Sequence, residues 1–494
     1  MHHALTQQKS SLASIAAWAM FSRGLEPEFP PGVQHELEQI RQPAREPGNT
    51  SIRDLTALAW CSLDNDDSRD LDQLTVCEPL PDGGMRIMVA VADVDALVKK
   101  GSAIDLHARV NTTSVYTSAR IFPMLPEKLS TDLTSLNADE DRLAIVSDMT
   151  FTQDGALASS SIYRALVRNH AKLAYDAVSA WIEGRGELPA AALRVPGMDA
   201  QLRMQDAHAQ KLRALRSAEG ALDFQTFQPR ASFEGETITG LEEQPHNRGR
   251  QLIEEFMIAT NGCMARFLAA HGGASLRRIV RSPERWARIV DVAREHGATL
   301  PSQPDGKALS TFLAEQRRID PLRFPDLSLV IVKLMGRGEY VVERAGGEPI
   351  GHFGLAVRHY THSTAPNRRY PDLITQRLLK AALAGSKPPY SATELDDLAV
   401  HCTRQEDAAQ KVERQMRKSE AALLLRSRIG QRFNGIVTGS GDSGVWVRIF
   451  EPPVEGRIKG EMPELGIGQR VRVRLVSTSV ERGFIDFVMA RDQP

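Results

Sequence analysis

Between Asp64 and Asp72 the chain carries five aspartates and one arginine, in the run Asp64-Asn65-Asp66-Asp67-Ser68-Arg69-Asp70-Leu71-Asp72. Like charges this close repel one another and stay ionised only beside a cation or in unusual solvation. Apolar stretches at 58–63 and 85–92 flank the run and read as strands, with turn residues over 79–84. Three readings compete. An EF-hand loop needs glycine at its sixth position and glutamate at its twelfth, and here those are Arg69 and Thr75, which rejects it. A solvated acidic loop is the second. The third is a Mg²⁺ cage holding one or two ions for phosphoryl chemistry. Asp64 ending an apolar strand, with Asp70 and Asp72 two apart and so on one face of an extended chain, favours the third.

A length of 494 residues predicts two to four domains. The net charge of −1 argues against a small basic protein held to nucleic acid by overall attraction, although a local basic channel is still open to it. Cys61, Cys77, Cys263 and Cys402 form no CxxC pair, so neither a zinc site nor a disulfide framework is expected, and idle thiols in a reducing cytosol are. No run of about 18 apolar residues suggests a membrane span. Met1-His2-His3 does not open a secretory signal.

Residues 4–24 place Leu5, Leu12, Ile15, Trp18 and Phe21 at helical spacing, a second helix is predicted over 33–42, and 41–50 reads as a linker. This piece suits a recognition module or a packing appendage. Helices are predicted over 160–183, 247–270 and 391–428. Residues 400–430 hold seven basic and four acidic side chains, and 366–380 hold four basic and one acidic. A solvated face and an RNA-facing role both fit the 400–430 stretch. Over 431–494, short glycine-punctuated apolar runs predict a small β-barrel.

A second segment suits phosphate: Tyr360-Thr361-His362-Ser363-Thr364-Ala365-Pro366-Asn367-Arg368-Arg369-Tyr370-Pro371-Asp372. Arginine offers a planar donor fork matched to phosphate oxygens, although an ion pair with Asp372 also explains it. Further runs are Thr113-Ser114-Val115-Tyr116, Ile121 through Ser130, Ser135-Leu136-Asn137, Asp141-Arg142-Leu143-Ala144, Arg250 through Asn261, and His352-Phe353-Gly354-Leu355. In content and order these resemble the ribonuclease II family, whose catalytic unit is the RNB domain. The resemblance covers about 51–385. The tail is similar to the family's S1-type domain at Phe433, Gly444-Val445-Trp446-Val447 and Pro453-Val454-Glu455-Gly456.

The resemblance implies an α+β multidomain chain. A helical N-terminal segment spans 1–48, a mixed α/β RNB catalytic domain 51–385, a helical extension 386–429, and an antiparallel β-barrel of OB fold and S1 type 431–494. It implies a cytoplasmic, monomeric 3′→5′ exoribonuclease that releases nucleoside 5′-monophosphates processively from single-stranded RNA with Mg²⁺, Mn²⁺ being a substitute. Asp64, Asp70, Asp72 and Arg368 take the catalytic positions, and Asp64, Asp70, Asp72 and Gln73 the metal positions. Tyr175 corresponds to the aromatic that stacks on the 3′-terminal base. Tyr116 and Phe224 correspond to the pair that clamps bases further along, Glu254 to a ribose contact, and Arg369 joins the RNA-binding set. On spacing alone, Tyr175 and Phe224 would be core residues.

Three departures stand out. Gln73 replaces the fourth aspartate, and a neutral amide is the weaker Mg²⁺ ligand, so Asp66, Asp67 or Asp93 is a candidate for the missing charge. This also motivates an alternative, a catalytically impaired RNA-binding protein. A third idea, a phosphodiesterase for short oligonucleotides, is disfavoured by the S1-type tail. Ala365-Pro366-Asn367 stands where the family has Ser-Pro-Ile. The family's paired cold-shock domains do not fit in about 50 residues, so a more open entrance that tolerates structured RNA is expected.

Overall fold

The structure is a computed structural model that describes residues 8–225, 230–242, 247–271, 273–441, 444–460, 465–466 and 468–490. Leu5 and Met1-His2-His3 lie outside the described residues. The centre is a seven-stranded mixed sheet. From edge to edge its strands are Ile52–Asp54, Leu157–Arg168, Asp141–Phe151, Met85–Ala92, Gln73–Pro79, Cys61–Asp64 and Ala171–Ala174. The two edge pairings are parallel and the inner ones antiparallel.

Both faces of the sheet are covered, which explains why 85–92 reads as continuously apolar. Side chains alternate along Met85–Ala92. Met88, Ala90 and Ala92 enter one core with Leu373, Ile374, Leu395 and Leu398. Ile87, Val89 and Val91 enter the other with Met198, Leu202, Leu252 and Phe256. The acidic run leaves the C-terminal end of Cys61–Asp64 and re-enters the sheet at Gln73, so it sits at one rim of a rigid scaffold.

The predicted helix over 160–183 is corrected: strands Leu157–Arg168 and Ala171–Ala174 occupy most of it, and the helix is Tyr175–Ile182. The long ladder with Asp141–Phe151 overrides the local period. The strand expected over 58–63 is Cys61–Asp64. The second N-terminal helix is Pro31–Gln39, since proline fits the first helical turn. In the first helix, Gln8–Phe21, the buried face is Leu12, Ala16, Ala19 and Met20, which pack on Val412 and Met416. Trp18 and Phe21 are exposed, so the apolar stripe expected at Leu12, Ile15, Trp18 and Phe21 is also corrected. Three helices not anticipated from the sequence, Trp286–Glu295, Gly306–Ile319 and Phe324–Met335, enclose their own core around Ile289, Leu309 and Ile331.

The helix Ala392–Leu425 runs from the catalytic domain into the barrel core, where Ala421, Ala422 and Leu425 are buried. The barrel is closed, in the order Arg432–Gly441, Gly444–Ile449, Val454–Ile458, Phe484–Met489, Arg470–Ser479. It is not wholly antiparallel: Val454–Ile458 pairs in parallel with Phe484–Met489. Gly456 permits that approach, since a Cβ there would lie 2.5 Å from Phe487 and 2.6 Å from the Ile485 carbonyl oxygen.

Candidate active site

The acidic run is folded into a tight loop by the Ser135-Leu136 segment. Ser135 Oγ accepts from the Leu71 amide at 3.0 Å and donates to the Arg69 carbonyl at 2.9 Å, while the Leu136 amide donates to the Leu71 carbonyl at 3.0 Å. Asp64 accepts from its neighbour's amide, Asn65 N, at 2.7 Å and from Ser68 Oγ at 3.0 Å. The Tyr116 hydroxyl donates to Asp70 Oδ2 at 3.1 Å.

Asp72 is the pivot. It is 1% exposed and meets the arginine segment twice. Arg368 Nε donates to Oδ2 at 3.1 Å and the Asn367 amide to Oδ1 at 3.0 Å. Burial pushes its carboxyl up to about 7, Arg368 acting against that shift and Asp70 adding to it. Burial likewise raises the Asp64 carboxyl. The structure therefore gathers all four residues expected at the catalytic positions. Among the described residues, neither Nη of Arg368 has a hydrogen-bond partner, and 43% of this side chain is exposed.

The donor set fits a hard divalent cation. Carboxylates that repel one another, Asp72 buried and Asp64 and Asp70 half-buried, are short of positive charge with Arg368 alone. Among the described residues, no three His, Cys, Asp or Glu side chains converge as a preformed cage. Mg²⁺ commonly takes one or two carboxylates and keeps several waters, so Asp64, Asp70 and Asp72 suffice in chemistry. Gln73 opens the strand Gln73–Pro79, buried and opposite Val91. Asp93 supplies no missing charge: its side chain is fully buried and committed to Lys380 Nζ at 2.8 Å and Arg164 Nη2 at 3.0 Å.

The other expected residues divide. Tyr175 opens the helix Tyr175–Ile182 with its ring beside Asp64 and under the Arg250 guanidinium, 4.8 Å from the ring centroid. Tyr116 belongs to the acidic site through Asp70 rather than only to a more distant clamp. Phe224 and Glu254 line one cavity of about 250 Å³ with Arg213, Arg216 and Gln251. Arg369 is committed to Asp372, its Nη2 donating to Oδ1 at 2.8 Å. The basic stretch 366–380 is also mostly internal. Arg377 is buried against Asp95 and Asp105, and Lys380 pairs with Asp93 and Asp95. Asn65, Ser135 and Arg250 escaped the sequence reading as site residues. All three lie inside motifs that the sequence shows, but nothing in those motifs singles them out.

The RNB domain profile matches residues 52–385, over half of the chain. The chain belongs to the RNB-domain family. Behind the RNB domain, residues 431–490 match the RNase II-type exonuclease C-terminal S1 domain. Ribonuclease R of Vibrio parahaemolyticus is 30% identical over 451 residues, covering 87% of this chain and 52% of that protein. Ribonuclease R of Aquifex aeolicus is 30% identical over 492 residues, covering 93% and 68%. The chain thus spans about half the length of its Vibrio relatives. The apo RNase R of Mycoplasma genitalium superimposes with a TM-score of 0.88 at 23% identity, over 97% of this chain and 78% of that one. Yeast Ssd1, a pseudonuclease, superimposes with a TM-score of 0.68 at 17% identity, over 88% of this chain and 53% of that one. The resemblance read from the motifs is thereby confirmed for the family and for the fold class.

Proposed function

We propose that this RNB domain is an active 3′→5′ exoribonuclease, processive on RNA, releasing nucleoside 5′-monophosphates with Mg²⁺ or Mn²⁺. The observation that carries the reading is the Asp72–Arg368 contact, with Asp70 held by the Tyr116 hydroxyl and with Asp64 and Tyr175 within electrostatic reach of Arg368. Relatives named ribonuclease R, and solved RNase R chains bound to single- and double-stranded RNA, support RNA as the substrate. A cytoplasmic monomer belongs to the same proposal. Four buried free cysteines fit a reducing compartment, and no described helix is long and apolar enough to cross a membrane.

Asp64, Asp70 and Asp72 would hold Mg²⁺, which when bound supplies an activated water and charge stabilisation at the departing 3′-oxygen. Arg368 is held by Asp72 through Nε, leaving both Nη groups to meet phosphate oxygens as negative charge grows on them. Tyr116 fixes Asp70 through its hydroxyl. Stacking on Tyr175 holds the terminal base without regard to its identity, as an enzyme that accepts any RNA requires. Glu254 and Phe224, which share a cavity, would meet the sugar and base of neighbouring nucleotides.

The second reading, an impaired RNA-binding protein, is favoured by Gln73 and by the lack of a preformed three-ligand cage among the described residues. End-labelled single-stranded RNA separates the two. Processive release of mononucleotides that is lost in Asp72→Asn supports the first. Tight binding without cleavage in either metal supports the second.

A further inference from the structure

We propose that Arg250 is a positioning residue that sets the Tyr175 ring against the acidic loop before RNA arrives. The inference rests on the reading above only in taking Tyr175 as the platform for the terminal base.

The helix Arg248–Ala270 starts against Tyr175. Asn247 caps it, its Oδ1 accepting from the Arg250 amide at 3.0 Å, and its Nδ2 donates to Asp176 at 2.6 Å. Gly249 then lies against Tyr175: a Cβ there would be 3.0 Å from the Tyr175 carbonyl oxygen and 3.3 Å from its Cα. The Gly249 amide donates to Ser179 Oγ at 2.8 Å, and Ser179 Oγ donates back to the Tyr175 carbonyl at 2.6 Å. The two helix starts are therefore locked together, and Arg250 is the next residue.

Two arginines in a first turn oppose the helix dipole, which disfavours cations there. Arg248 is compensated by Asp206, at 2.6 Å. Arg250 forms no ion pair among the described residues. Its partners are the Tyr175 ring face, 4.8 Å from the guanidinium, and the neutral Asn65 Oδ1, which accepts from Nη2 at 2.5 Å. Its Nε is buried without a hydrogen-bond partner. Asn65 is the residue whose amide binds Asp64. Arg250 thus links the aromatic ring to the turn that presents Asp64, and this link explains a cation at an otherwise unfavourable position.

The test is a double-mutant cycle on the full chain. Binding of a fluorescent five-nucleotide single-stranded RNA is measured in EDTA, so that neither metal nor catalysis enters. Arg250→Met should weaken binding about 2- to 30-fold, the range of a cation–π contact. Arg250→Lys, which keeps the cation, should recover part of the loss. In a Tyr175→Ala background Arg250→Met should add little. An unchanged affinity in Arg250→Met overturns the proposal. So does a full additive loss in the double variant, because Arg250 would then act independently of Tyr175. Hydrolysis by the parent chain in Mg²⁺ is scored separately, so failure of the nuclease reading is distinguishable from failure of this one.

Discussion

Replacing Asp372 by alanine should destabilise the catalytic domain by about 3 kcal/mol. Asp372 is fully buried, and its Oδ1 accepts from Arg369 Nη2 and from the Ala365 amide, both at 2.8 Å. Removing one partner of a buried ion pair costs about 3–5 kcal/mol, because the other charge is left without compensation. Arg369 retains 23% side-chain exposure, so water relieves part of that penalty and the lower end applies. The released Ala365 amide begins the turn whose carbonyl accepts from the Arg368 and Arg369 amides, so Arg368 should also lose its register on Asp72. About 1.4 kcal/mol of lost positioning corresponds to a tenfold fall in rate. The assay is urea denaturation followed by tryptophan fluorescence, to which Trp60, buried in this domain's core, contributes. Asp372→Ala combined with Arg369→Met should recover most of the lost stability, since the uncompensated charge goes too. A loss under about 1 kcal/mol in Asp372→Ala would refute the reasoning. So would an Arg369→Met variant that keeps full stability but binds RNA with a weaker salt dependence, which would return Arg369 to the RNA-binding set.

Burial pushes the Glu420 carboxyl up to about 7, against the hydrogen bond from Ser118 Oγ. The folded state then binds the extra proton, so stability should fall as pH rises from about 4.5 to about 7, by up to roughly 3 kcal/mol. Glu420→Gln should flatten that slope in denaturation curves taken across this range, and an unchanged slope would contradict it. Ser135→Ala removes the two hydrogen bonds that the Ser135 hydroxyl makes to the acidic loop, leaving that of the Leu136 amide, and should lower nuclease rate more than stability, measured side by side.

The candidate catalytic residues were legible because their chemistry is local. Acids crowded within nine residues demand a counter-charge, and Arg368 lies in an equally compact segment. The apolar runs at 85–92 and 431–494 were legible as strands, since burial on a sheet or in a barrel leaves a short-range pattern. What was missed is non-local. Strand Leu157–Arg168 reads as helical until its pairing with Asp141–Phe151 is known. Asp93 looked available until Lys380 and Arg164, far along the chain, were found on it. Over 366–380 four basic residues stand against one acidic, but Arg377 and Lys380 are spent on carboxylates far off in sequence. Arg250 offered no sign of its role, because its contacts with Tyr175 and Asn65 exist only in three dimensions.

Asp72 and Arg368 are expected to act together on the phosphate at the RNA 3′ end. Single-turnover release of the first nucleotide, followed in Mg²⁺ for the parent, Asp72→Asn, Arg368→Ala and the double variant, tests it most directly. Each single change should slow release by about 10²–10³-fold, and the double should be little slower than the worse single. A parent chain that binds the RNA yet releases no 5′-mononucleotide in Mg²⁺ or Mn²⁺ would contradict the account.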